Sequence, residues 1–306
     1  MDKKKKDFLT LKDYSKEEIK YLIGLTSKVK KDRSLYKDLL SKKSIALLFN
    51  KQSTRTRLSF EAGITQLGGN CIFLDADSLQ IKRGETLQDS ARVFSRYLDG
   101  LVIRTFEQKT VEIFAENSTI PVINGLTDLY HPCQIISDLF TIYELGLLDK
   151  FLKFTYVGDC NNVLNSLLIG FSKLGLDITV GCSQKYEPSK EILEYVFGQA
   201  AKSGSSIKFE YDPLAAVNGA DIIYTDVWVS MGDKDSEEKV AELSKFQVNE
   251  KLLAFAKPDV KIMHCLPAHR ESEITSAVID GKNSIVWQQA ENRLHAQKAL
   301  LVYLYS

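Results

Sequence analysis

The sequence predicts an α/β protein of two domains, each a mostly parallel sheet flanked by helices. Short β-rich runs alternate with longer amphipathic ones, and the alternation restarts near residue 150. A chain of 306 residues is also long enough for about two separate cores.

The elements follow in order. A polar, helical stretch opens the chain. The apolar run 44–49 has the length of a buried strand, and Phe60, Ile64 and Leu67 at helical spacing mark the inner face of the helix after it. Gly68 and Gly69 close that helix. Runs 71–74, 101–104 and 121–124 complete a first set of strands, and 137–148 reads as a helix ending near Gly146. The second set is expected at 154–159, 177–182, 207–211, 221–226, 260–265 and 284–287. Segment 288–305 carries Ala290, Leu294, Leu301 and Leu304 at helical spacing, as for a helix that packs its apolar face back on the first domain. The domains are therefore placed at 1–148 and 149–287, with a returning C-terminal helix at 288–306. The sequence contains no internal repeat and no low-complexity linker.

Lysine plus arginine equals aspartate plus glutamate, at 40 each, so no global field favours nucleic acid or a membrane surface. The expected partner is a small molecule. The lysine run 3–6 is too short, and too weakly followed by apolar residues, for a secretory signal, and no stretch has the length of a membrane span. Five cysteines (Cys71, Cys133, Cys160, Cys182, Cys265) are odd in number and widely spread, with no C-x-x-C pair or zinc spacing. Unpaired thiols in a reducing cytoplasm, and no metal, are expected.

In open parallel sheets, ligands bind beyond the carboxyl ends of the strands, and the polar oddities of this chain fall there repeatedly. Ser53, Thr54, Arg55, Thr56 and Arg57 lie between the first strand and a helix start. Unpaired N–H groups, the positive end of the helix dipole, hydroxyls and guanidinium groups together make a seat for a doubly charged anion, with Ser53 as N-cap. The plain alternative is an ordinary capped helix with solvated arginines, and Arg57 can pair with Glu61 at i,i+4. Arg104 ends another strand. His131-Pro132-Cys133-Gln134 sets an imidazole and a carboxamide at a helix entrance, suited to a ligand with a carbonyl and an amide, although a lone histidine is more often structural.

In the second half, 158–162 follows a strand without the G-x-G-x-x-G pattern of a nicotinamide site, and Asn161 and Asn162 offer amide donors to a carboxylate or simply cap a turn. Asp226 ends a strand before a hydrophilic loop that reads as a lid, a setting for an ammonium group, with the charges at 233–239 taken as solvated surface. Cys265, between His264 and Leu266-Pro267, places a thiol at a strand terminus. Such a thiol is either inert packing or part of a site.

With these segments in order, the chain resembles the aspartate/ornithine carbamoyltransferase family over almost its whole length. Ser53-Thr54-Arg55-Thr56-Arg57 and His131-Pro132-Cys133-Gln134 carry the likeness, and Ala290-Glu291-Asn292-Arg293-Leu294 matches the family's last helix. Asp226-Val227-Trp228-Val229-Ser230-Met231-Gly232 with His264-Cys265-Leu266-Pro267 resembles the members that use ornithine. Cys160 stands where glycine is common in the family.

The resemblance implies a carbamoyl-phosphate domain and an amino-acid domain, in a homotrimer with shared active sites. It places Ser53, Thr54, Arg55 and Thr56 on the phosphate, Arg104, His131 and Gln134 at the carbonyl end, and Arg293 as a further contact. Gln80 would reach into a neighbouring subunit, and the carbonyls of Cys265 and Leu266 would bind the carbamoyl amide. Asn162, Asp226, Ser230 and Met231 would contact ornithine. Arg104, His131, Asp226 and Cys265 are the catalytic candidates. The implied reaction is attack of the ornithine side-chain amine on carbamoyl phosphate, without cofactor, in arginine biosynthesis or breakdown, with synthesis preferred. Other amines (putrescine, aspartate, acetylornithine) and a non-catalytic anion-binding protein on the same fold are the alternatives.

Overall fold

The computed structural model describes residues 5–80, 84–148, 152–229 and 236–306. They divide into two compact units, one of residues 1–140 with 292–306 and the other of residues 141–291. The divisions fall inside two helices, where nothing in the sequence pattern marks a boundary.

The first unit opens with α1 (Lys16–Lys31), held by a capping box between Ser15 and Glu18. Its sheet has the order β2 (Asn70–Asp75), β1 (Ser44–Phe49), β3 (Gly100–Arg104), β4 (Val122–Leu126), all parallel. β1 and β3 are central, and their almost unbroken apolar runs follow from burial on both faces. Between the strands lie α2 (Thr54–Gln66), α3 (Leu87–Tyr97) and α4 (Gln108–Asn117). Phe60, Ile64 and Leu67 are fully buried as their spacing predicts, and Gly68, at φ +83°, ends α2 in the left-handed conformation.

After α5 (Pro132–Glu144), the second unit carries a parallel sheet in the order β7 (Ile207–Glu210), β6 (Ile178–Gly181), β5 (Phe154–Val157), β8 (Ile222–Thr225), β9 (Lys261–His264). α6 (Asn162–Leu174), α7 (Lys190–Ser203), α8 (Pro213–Val217), α9 (Ser236–Leu243), α10 (Glu250–Leu253) and α11 (Ser276–Ile279) follow their strands.

The strand expected at 284–287 does not form. Ser284 makes a single bridge to Ile262, and Val286 already begins α12 (Val286–Tyr305). So short an apolar run does not distinguish a strand from the first turn of a helix. α12 does return to the first domain: Lys298 Nζ donates to Gln66 Oε1 (3.0 Å) and Tyr305 Oη donates to the Asp99 carbonyl (2.7 Å). Its inner surface is broader than the expected stripe. Leu301 is buried, but Ala290, Leu294 and Leu304 are half-buried, while Asn292, Arg293, His295 and Lys298 are enclosed. Buried Ala296, Ala299, Leu300 and Val302 pack beside these polar groups, so apolar contact and hydrogen bonds fix the helix together.

Candidate active site

In each sheet the polar residues gather where the strand order reverses. β1 is followed in sequence by β2 on one side and then β3 on the other, so the segments after β1 and after β3 diverge and leave a crevice. Ser53 and Arg104 lie at its two sides.

Ser53 is the N-cap of α2, with Oγ accepting the Thr56 N–H at 3.3 Å. The next residues therefore present their N–H groups along the helix axis. Thr54 is exposed, Arg55 half-buried and Thr56 buried. Thr56 Oγ1 accepts from Arg104 Nη1 at 3.4 Å and from Arg293 Nη2 at 3.2 Å. Arg293 also donates to Gln134 Oε1, and Gln134 Nε2 donates to Asp138 Oδ1 at 2.9 Å. This chain of bonds ties α2, β3, α5 and α12 around one point.

His131 is buried in the same cluster. Burial, then the charges of Arg293, Arg104 and Arg55, hold its pKa well below the ordinary histidine value. The ring is therefore neutral at physiological pH and can donate one hydrogen bond without adding another positive charge. Three guanidinium groups around a neutral imidazole form a strongly electropositive pocket, which an anion would relieve.

Arg57 does not belong to this group. It bonds Glu61 at 2.7 Å and lies over the Phe73 ring at 3.7 Å, which is the structural alternative foreseen for it. Gln80 is exposed, and among the described residues no hydrogen bond joins its side chain to the cluster.

The second sheet repeats the logic. β5 lies between β6 and β8, so its strand order reverses between β5 and β8. Asn161, after β5, donates through Nδ2 to Asp226 Oδ2 at 2.7 Å, and Asp226 follows β8. Cys265, after β9, donates its S–H to Asp226 Oδ1 at 2.8 Å. Asp226 is thus a buried carboxylate bonded at both oxygens, beside the point where the strand order reverses.

Asn161 was expected, with Asn162, to offer an amide to a carboxylate or to cap a turn, whereas only Asn162 was assigned to ornithine. Asn161 Oδ1 accepts from the N–H groups of Val163 (3.0 Å) and Leu164 (3.3 Å), so one side chain both caps α6 and positions the acid. Asn162 is the half-buried first residue of α6. Gly158, at φ +127°, admits the turn: a Cβ there would lie 3.1 Å from Trp228 Nε1.

Ser230 and Met231 lie outside the described residues. The charge run 233–239 is not all solvated surface: Lys239 pairs with Asp159 at 2.8 Å, with side chains only 15% and 6% exposed, and ties α9 to the loop after β5.

Asp226, His264 and Cys265 place ligand atoms within 4.8 Å of one another, the one such group among the described residues. Both ring nitrogens of His264 already have partners, Glu273 and the Leu266 N–H. Recruiting the imidazole to a metal would cost one of them.

The first unit thus holds an electropositive cluster at a helix start, and the second a buried carboxylate bonded at both oxygens. Residues 6–144 match the model of the aspartate/ornithine carbamoyltransferase carbamoyl-phosphate-binding domain, and residues 150–304 match that of the Asp/Orn-binding domain. The chain belongs to the aspartate/ornithine carbamoyltransferase family. It is 51% identical over 300 residues to an ornithine carbamoyltransferase of Bacillus thuringiensis, covering 98% of this chain and 94% of that one. Among solved structures it is similar to the ornithine carbamoyltransferase of Pyrococcus furiosus, with a TM-score of 0.92, 48% identity and 97% and 96% of the two chains covered. The anabolic ornithine carbamoyltransferase of Campylobacter jejuni aligns with a TM-score of 0.92, 41% identity and 98% of both chains.

Proposed function

We propose that this chain transfers the carbamoyl group of carbamoyl phosphate to the side-chain amine of L-ornithine, giving L-citrulline and inorganic phosphate. The observation that carries the reading is the cluster in which Arg104 and Arg293 share the Thr56 hydroxyl oxygen beside a buried, neutral His131. Both lone pairs of Thr56 Oγ1 are occupied by guanidinium donors, so its own O–H is left to donate to a ligand.

In this proposal Ser53, Thr54, Arg55 and the start of α2 hold the phosphate. Thr56, Arg104 and His131 stabilise the negative charge that grows on the carbonyl oxygen as the tetrahedral centre forms; each fixed donor of this kind is worth about 3 kcal/mol. Gln134 and Arg293 hold the carbamoyl end. Gln80 serves a neighbouring subunit of a homotrimer.

Asn162, Asp226, Ser230 and Met231 bind ornithine, and Cys265 and Leu266 offer backbone carbonyls. An amine of lysine-like pKa, about 10.4, must lose its proton to attack, at a cost of roughly 4 to 5 kcal/mol at neutral pH. Desolvation lowers that cost, and Asp226 orients the nitrogen. The departing phosphate stays paired with Arg55. Bringing two substrates into alignment contributes roughly a further 7 to 11 kcal/mol. The proposed setting is arginine biosynthesis in the cytoplasm.

The test is colorimetric detection of citrulline from the purified chain with both substrates, repeated with putrescine, aspartate and acetylornithine in place of ornithine. Product from ornithine alone supports the reading. No product from any amine, with phosphate still bound, favours an anion-binding protein on the same fold. Arg55→Ala is expected to lose phosphate binding and most turnover.

A further inference from the structure

The loop that presents Cys265 rests on a buried pair, His264 and Glu273, neither of which has a part in the proposed reaction. His264 ends β9, and its side chain and that of Glu273 are both fully enclosed, with Nε2 of the ring 3.0 Å from Glu273 Oε1. The other ring nitrogen, Nδ1, accepts the Leu266 N–H at 2.8 Å. A nitrogen that accepts carries no hydrogen, so the ring hydrogen resides on Nε2 and is donated to Glu273. Glu273 Oε1 also accepts the His269 N–H at 2.6 Å, and the His264 N–H donates to Gln289 Oε1 at 2.9 Å. Glu273, His264 and the Leu266 amide form one line of hydrogen bonds running from the core to the site loop.

The peptide joining Cys265 to Leu266 is planar and trans, so its carbonyl points opposite to its N–H. With the N–H fixed on His264, the Cys265 carbonyl is aimed away from the core. Leu266 itself is held at φ +57°, a conformation that a leucine adopts only when its surroundings impose it. The His264 acceptor is such an imposed contact.

We infer that His264 and Glu273 are positioning residues for the transfer reaction: the pair locks the imidazole tautomer that grips the Leu266 amide, and so aims the Cys265 carbonyl at a substrate N–H. Neither side chain touches substrate. The inference rests on the carbamoyl-transfer reading above and assigns a function to two residues that reading leaves out.

The test compares His264→Phe, which fills the space without an acceptor, with His264→Asn, whose Oδ1 can replace Nδ1 as acceptor. kcat and KM for both substrates are measured on the full chain, beside inorganic phosphate binding by calorimetry and thermal unfolding. His264→Phe is expected to lower kcat/KM by about 10- to 100-fold, as when a residue that orients a ligand-binding group is lost, with phosphate binding unchanged. His264→Asn restores most of that loss, and Glu273→Gln, which keeps an acceptor for His264 and His269, stays closer to wild type than Glu273→Leu.

Wild-type kinetics in His264→Phe would overturn the inference and leave the proposed reaction standing. So would equal damage in His264→Phe and His264→Asn that follows their unfolding temperatures, which is the mark of a structural role only. Absence of citrulline with the wild-type chain removes the proposed reaction and this inference together.

Discussion

Thr56→Val isolates one oxygen atom. Valine is close to threonine in shape, the residue is buried, and the helix cap is untouched because the Ser53 bond is to the Thr56 backbone. What disappears is the acceptor shared by Arg104 at 3.4 Å and Arg293 at 3.2 Å, together with the remaining O–H. Hydrogen bonds to charged groups are worth about 1.5 to 3 kcal/mol each. Both distances exceed the roughly 2.7 to 2.9 Å of strong charge-assisted bonds, so the lower figure applies. Two such bonds give about 3 kcal/mol at most, less whatever water returns to the half-buried Arg104. Losing a preorganised donor to a developing oxyanion adds a factor of about 100 to 1000 in turnover. The variant should therefore stay folded, unfold at lower denaturant, and lose at least about 100-fold in kcat/KM for citrulline formation. Thr56→Ser keeps the oxygen and should remain within about tenfold of wild type. Near wild-type turnover in Thr56→Val, or equal damage in the serine variant, would refute the argument.

Cys265→Ala removes the S–H that holds Asp226 Oδ1, so ornithine use should weaken more than carbamoyl-phosphate binding; separate titration of each ligand checks it, and equal losses contradict it. Gly158→Ala puts a methyl against Trp228 and Thr225 at φ +127° and should cost about 1 to 3 kcal/mol in urea unfolding. His131 has a folded-state pKa well below its unfolded one, so in the interval between them the unfolded chain binds the extra proton. Its contribution to stability is complete above the unfolded value of about 6.5 and is lost as pH falls through that interval, with a slope of at most about 1.4 kcal/mol per pH unit. His131→Gln should flatten that slope in denaturant titrations across the acidic range.

The fold was legible because both sheets are parallel and their inner strands are buried. Strands enclosed on two faces read as short continuous apolar runs, and β1 was found to the residue. The run at 284–287 misled for the same reason: four residues rich in β-branched and aromatic side chains read as a strand, but Ser284 makes only one bridge, and Trp287, 64% exposed, stands in the first turn of α12. α12 is foreseen as a returning helix, yet part of what fixes it comes from Lys298, Tyr303 and Tyr305, polar groups whose partners lie far off in sequence. Helical spacing detects apolar stripes and is silent on such bonds.

The site was legible in its residue types more than in its connections. Strand ends can be read from sequence, but strand order cannot, and strand order decides which ends meet. Asn161 and Asp226 stand on either side of the reversal between β5 and β8, 65 residues apart in the chain and 2.7 Å apart in space. Thr56 and Arg293 are separated by 237 residues and joined at 3.2 Å. Because each contact is set by the order of whole strands or by the return of a whole helix, no local signal encodes it. A substitution that disturbs strand order or the seat of α12 would thus disable the arginine cluster without touching any of its residues. Lys298, bonded to Gln66 at the far end of α2 from Ser53, is the place where such remote damage should be sought.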